Sequence, residues 1–104
     1  MLPHPQILPA RQDEPVPETE LEPEYRVIIH NDDFTPMDFV VHILQQIFFL
    51  SEQLSLEVML QAHLEGSAVV QVLPQSEARS RVGRAHFAAG LEGYPLRFSL
   101  EPAS

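Results

Sequence analysis

A chain of 104 residues with fifteen Asp+Glu against six Lys+Arg, and so a net charge of −9, is one acidic domain that repels phosphate backbones and anionic lipid and suits a partner carrying positive charge. The absence of cysteine excludes a disulfide framework, a thiolate metal site and a cysteine nucleophile. No apolar run approaches the roughly 20 residues of a membrane helix, and no basic then apolar leader opens the chain, so a cytoplasmic protein is expected.

Residues 1–24 hold six of the ten prolines and six acids, with Leu2, Ile7 and Leu8 scattered without period. Such a segment buries too little to offset the entropy of ordering, and a disordered arm is expected. The remaining 25–102 reads as a small core domain. Tyr25–His30 (YRVIIH) is β-branched and aromatic, and predicts a strand. Asn31-Asp32-Asp33 breaks it. Thr35 as N-cap, Pro36 at the first helical position and Asp38 closing a T-x-x-D capping box predict a helix start. Met37, Val40, Val41, Leu44, Ile47 and Phe48 follow at helical spacing, which predicts a helix ending near Phe49.

Ser51 is placed to cap a second helix running to about Glu65, with Leu56, Met59, Leu60 and His63 on one stripe and Gly66 as a left-handed C-terminal cap. Ser67–Leu73 reads as a second strand. Pro74-Gln75-Ser76 opens a third helix, with Ala78, Val82, Ala85 and Ala89 on one face and Gly90 and Gly93 at its end. Leu96, Phe98 and Leu100 alternate with polar residues, as in a strand with one wet face. The expected fold is α/β of the α+β kind. It has a three-stranded antiparallel sheet with three helices packed on one face, in the order β-α-α-β-α-β.

Two places carry possible chemistry. Asn31, Asp32 and Asp33 can serve simply as turn residues. Yet three consecutive amide or carboxylate side chains also make a dense set of acceptors, suited to a cation. His63 can be a half-buried packing residue, or its neutral ring can donate from one nitrogen and accept at the other, which suits it to an amine. Met37, Val40, Met59, Ala62 and Leu96 read as core by periodicity. An enzyme using Asp32, Asp33 and His63, with or without a metal, stays open on these residues alone. No phosphate loop and no nucleophile elbow is present.

The string Tyr25-Arg-Val-Ile-Ile-His-Asn-Asp-Asp-Phe-Thr-Pro-Met-Asp-Phe-Val-Val41 resembles the N-D-D-[YF]-T-P-M-[ED]-F-V pattern of the ClpS family. Met59-Leu-Gln-Ala-His63-x-x-Gly66 resembles its M-L-x-V-H-x-x-G, and Tyr94-Pro-Leu96 its H-P-L. The resemblance covers about 25–102. It implies a monomeric adaptor, without cofactor or metal and without chemistry of its own. Such an adaptor binds the free N-terminal residue of substrate proteins (Leu, Phe, Tyr or Trp) and delivers them to ClpA or ClpC, the hexameric ATPases that feed ClpP. By the same resemblance Asn31, Asp32 and His63 hold the substrate's α-amino group, with Asp33 as a helper. Thr35, Met37, Val40, Met59, Ala62 and Leu96 line the side-chain pocket, with Met37 gating it against β-branched first residues. Arg79 and Arg81 fall on the third-helix surface that meets the unfoldase.

The chain departs from the family at Ala62, where a valine is usual, and at Pro74, where a threonine cap is usual. Arg79 and Arg81 stand where a Glu and a Lys are expected. A Clp ATPase-docking module without N-degron binding is the alternative, as is a fold-alike such as the ribosomal stalk's C-terminal domain.

Overall fold

The computed structural model describes residues 22–104. Most of the arm expected over residues 1–24 therefore lies outside the described residues. Six elements follow in the expected order: β1 (Glu24–His30), α1 (Met37–Gln46), α2 (Glu52–Glu65), β2 (Ser67–Pro74), α3 (Gln75–Glu92) and β3 (Arg97–Pro102). β1 lies in the middle of an antiparallel sheet of order β2-β1-β3. Alternation buries Val27 and Ile29 of β1 and Phe98 of β3 on one face, under the helices. The other face carries the Arg26–Glu101 ion pair at 3.0 Å and the His30–Ser99 hydrogen bond at 2.6 Å. Between Val27 and Ile28 the register against β2 jumps by one residue, a bulge that leaves Val70 as the extra residue.

α1 starts and stops differently from its expected bounds. The Thr35–Asp38 capping box does not form. Pro36 holds the N-cap position without a side-chain cap, the Asp38 carboxylate accepts from the next residue's N–H, and Thr35 donates its hydroxyl to Asp32 instead. An upstream carboxylate has outcompeted the box. At the other end the helix stops at Gln46 rather than near Phe49. Phe48 turns into the core and stacks on Phe98 with ring centroids 5.1 Å apart. To allow this, Phe49 takes a left-handed φ of 58°, a conformation uncommon outside glycine.

α2 has the expected ends. The Ser51 hydroxyl accepts from Leu54 N–H at 3.1 Å, and Gly66 takes φ 94°, which glycine adopts without a Cβ penalty. Its buried face is rotated from the expected stripe, however. Ser55, Val58 and Ala62 face inward, whereas Leu56 and Leu60 are 46% and 50% exposed. Small residues let the helix approach its neighbours closely, and the apolar residues of α2 are spread around its circumference among polar ones, so leucine spacing did not mark the inner side.

α3 buries Ala78, Ala85 and Ala89 and runs through Gly90. It ends at Gly93 in a Schellman arrangement, with Gly93 N–H on Gly90 C=O and Tyr94 N–H on Ala89 C=O. Its first turn has no cap from Pro74. Glu22 supplies one from 54 residues away, accepting from Ser76 N–H at 2.6 Å and from the Ser76 hydroxyl at 2.9 Å. A carboxylate at a helix N-terminus also meets the positive end of the helix dipole.

The Ser55 hydroxyl is fully buried and has no hydrogen-bond partner among the described residues. Leaving such a group unpaired costs about 1–3 kcal/mol. Ser55→Ala is expected to raise stability by about 1 kcal/mol in urea denaturation, because the methyl keeps the packing and loses the unpaired oxygen.

Candidate functional site

The β1–α1 loop is organised by one side chain. Asp32 Oδ1 accepts from Phe34 N–H at 2.8 Å and from Thr35 N–H at 2.7 Å, and Oδ2 accepts the Thr35 hydroxyl at 2.9 Å. This is an Asx-type turn. Partial burial pushes the Asp32 pKa up, but the three hydrogen bonds outweigh it, and the net shift is below the ordinary value. A carboxylate offers about four acceptor sites, so one lone pair and the full negative charge remain for a ligand.

The loop is also fastened to the end of α2. Asn31 N–H donates to Gly66 C=O at 2.9 Å. Gly66 follows His63 by three residues, so the left-handed cap that ends α2 brings the loop beside the His63 turn. The side chains of Asn31, Asp33 and His63 have no hydrogen-bond partner among the described residues and are exposed. They are acceptors and donors left over after the fold is built.

Between the loop, the start of α1, the last turns of α2 and the approach to β3 lies a pocket of about 310 Å³. All ten residues that the resemblance assigns to the α-amino site and the side-chain pocket line it. Asn31, Asp32, Asp33 and His63 give it charge and polarity. Thr35, Met37, Val40, Met59, Ala62 and Leu96 give it methyl, thioether and aliphatic surface. Val40, Ala62 and Leu96 are buried and form fixed walls, while Met37 is half in solvent. Four further lining residues were not singled out: Ile29, His30, Phe34 and Pro36. Ile29 and His30 read only as strand, and Pro36 only as a helix start. Phe34 sits inside the N-D-D-F-T-P string yet is 79% exposed, and nothing in its spacing distinguishes it from a core aromatic.

The third-helix arginines behave differently from one another. Arg79 is exposed. Arg81 is held inward: its Nε meets Glu77 at 2.8 Å, its Nη1 donates to the Gln71 amide oxygen at 3.0 Å, and its guanidinium lies 5.0 Å from the Phe49 ring centroid. No group of three His, Asp or Glu side chains among the described residues is placed to hold a metal ion.

Fold and hollow together define a small α+β binding domain with a preformed, half-polar pocket. The chain belongs to the ClpS family, "ATP-dependent Clp protease adaptor protein ClpS", whose model matches residues 20–99. It is 44% identical over 86 residues to the ATP-dependent Clp protease adapter protein ClpS 2 of Mesorhizobium japonicum, covering 83% of this chain and 85% of that one. It is 40% identical over 85 residues to the ClpS of Roseobacter denitrificans, covering 82% and 75%. Among solved structures it is similar to Agrobacterium tumefaciens ClpS2 bound to L-phenylalaninamide. The TM-score is 0.74 and the identity 39%, with 77% of this chain and 96% of that one covered.

Asp32→Ala removes three hydrogen bonds from the loop at once and is expected to destabilise the protein by about 1–3 kcal/mol near neutral pH. Because the folded pKa is depressed, the stabilisation is present above the unfolded value of about 3.8 and is lost as pH falls through the folded value. Urea midpoints for wild type and variant should therefore converge as the pH is lowered below about 4.

Proposed function

We propose that this chain is an N-degron adaptor that recognises the free first residue of a substrate protein and passes the substrate to a Clp unfoldase working with ClpP. The reading is supported most by the pocket itself, which combines an apolar interior with a brim of uncommitted acceptors. L-phenylalaninamide, the ligand of the A. tumefaciens relative, has the same two halves: an α-ammonium and a large apolar side chain. Its capped carboxyl imitates a peptide's first residue.

In this reading the ammonium donates to Asn31 and His63 and meets the fixed charge of Asp32, with Asp33 adding charge from solvent. The side chain enters between Met37, Val40, Met59, Ala62 and Leu96, with the Thr35 methyl at the edge. Each hydrogen bond to the charged group contributes about 1.5–3 kcal/mol and burial of the side chain about 1.5–3 more. After the cost of association this gives an affinity of about −8 kcal/mol, the micromolar range. Binding of that strength selects a substrate and still lets it go. The chain performs no chemistry in this role and acts in the cytoplasm as a monomer. Among the described residues no helix is long and apolar enough to cross a membrane.

Docking to the unfoldase, ClpA-like or ClpC-like, is assigned to the exposed side of α3. Arg79 offers a solvent-facing charge there. Arg81, tied to Glu77, Gln71 and Phe49, contributes through the shape of the helix–sheet junction more than through a free charge. The segment 1–24 serves as the arm that engages the unfoldase during delivery.

A peptide beginning with free Phe is expected to bind at least about tenfold more tightly than its N-acetylated twin, since one lost charge-assisted bond exceeds 1.4 kcal/mol. Fluorescence anisotropy with the two peptides decides the matter, and equal affinities would remove the adaptor reading in favour of a docking module without N-degron binding. Ala62 is a fixed wall, so Ala62→Val should narrow the hollow. In the same assay a Trp-first peptide should then lose more affinity than a Leu-first one, by about threefold or more.

A further inference from the structure

Among the described residues β3 has a strand neighbour on one side only. Its N–H groups that point away from β1 need another acceptor or water. Phe98 is such a residue, and its side chain is buried. The Phe98 N–H donates to Nε2 of His86 on α3 at 2.9 Å. The two rings also touch, with centroids 6.0 Å apart. A histidine side chain thus occupies the place of a missing strand partner.

This tie lies close to the pocket. Leu96, a buried pocket wall, precedes Phe98 by two residues, a span of about 6.5 Å in extended chain. Leu96 itself has no ladder partner, because the pairing of β1 with β3 stops at His30 and Arg97. On its other side the chain is fixed only at Tyr94, through Ala89 C=O and an edge-on contact with Phe39. These two anchors flank Leu96, which packs into the core between them.

We propose that His86 is a positioning residue for the binding pocket: its unprotonated Nε2 fastens the outer edge of β3 to α3 and thereby holds the Leu96 wall in place. This rests on the adaptor reading for what the pocket selects, but not for the tie itself. The acceptor role requires the tautomer with its proton on Nδ1. His86 is exposed as a residue, yet partial desolvation of its ring, and after it the charge of Arg97, pushes its pKa below the ordinary value, which favours the proton-free acceptor at neutral pH. Arg97 of β3 is the charged group whose field reaches the ring. His30 of β1 turns to the opposite side of the sheet, towards Ser99, and Val82, Gly83, Ala89 and Gly90, one turn away on α3, carry no charge.

The experiment compares wild type, His86→Leu and His86→Gln. Glutamine can accept the Phe98 N–H without titrating; leucine cannot. In the unliganded proteins, NMR should show Phe98 amide exchange at least about tenfold faster in His86→Leu, together with moved Leu96 methyl signals. The ratio of affinities for Phe-first and Leu-first peptides should change by about threefold or more in His86→Leu, and His86→Gln should restore all three readouts. A general loss of folded protein would lower both affinities and leave their ratio alone. If His86→Leu does not fold, acid titration decides: Leu96 methyls should shift as the pH falls below the ordinary histidine value of 6.5 in wild type, and by clearly less in His86→Gln. Unmoved Leu96 signals with an unchanged affinity ratio, or no rescue by glutamine, would overturn the proposal. Absence of binding by wild type to either peptide would overturn the adaptor reading instead, and the NMR comparison would still decide the tie.

Discussion

One carboxylate holds the β1–α1 loop in shape. Asp32 gathers two backbone N–H groups and one hydroxyl within a four-residue span, and the loop side of the site is built on that turn. The turn sets where Asn31 and Asp33 point and where α1 begins, and so where Met37 and Val40 face the pocket. It also fixes a negative charge at the brim. The group that would attract an ammonium is thus the group that organises the loop, so the charge is in place before any ligand arrives. Little ordering then remains to be paid on binding.

The order of the elements was legible because each boundary carries its own chemistry. The N-D-D turn, Ser51 before α2, Gly66 after it and Gly93 after α3 each do locally what their residue types favour. Where the reading failed, a distant or competing group had intervened. Thr35 was drawn to Asp32 rather than to the helix it precedes. Phe48 left α1 early because the core offered the Phe98 ring. In α2 the leucines misled, since Ser55 and Ala62 mark the inner face by being small. The Glu22 cap on α3 and the His86 tie to β3 join residues that no local period connects.

The site was legible in a different way. Loop 31–37, the end of α2 and Leu96 are far apart in the chain, and spacing alone does not join them. Their grouping came from resemblance to a family pattern. The structure supplies the physical link through the Asn31–Gly66 bond, which closes the loop against α2. It also separates residues that looked alike in sequence. Asp32 is bonded three times while Asp33 stands in solvent, and Arg81 is engaged while Arg79 is exposed.

The route from Glu22 into the sheet has a mechanical corollary. The chain enters the described domain at Glu22, clipped to α3 by its carboxylate and by the Gln75 N–H bond to Pro23 C=O, and passes directly into β1, which is hydrogen-bonded to a strand on each side. Tension applied from the N-terminal side therefore runs along the axis of the central strand. With the molecule held at its pocket end, both ladders are then loaded in shear, instead of unzipping one bond at a time. The pocket lies at the far end of the same strand, so a pull at one end reaches the other only through the most strongly braced segment of the molecule.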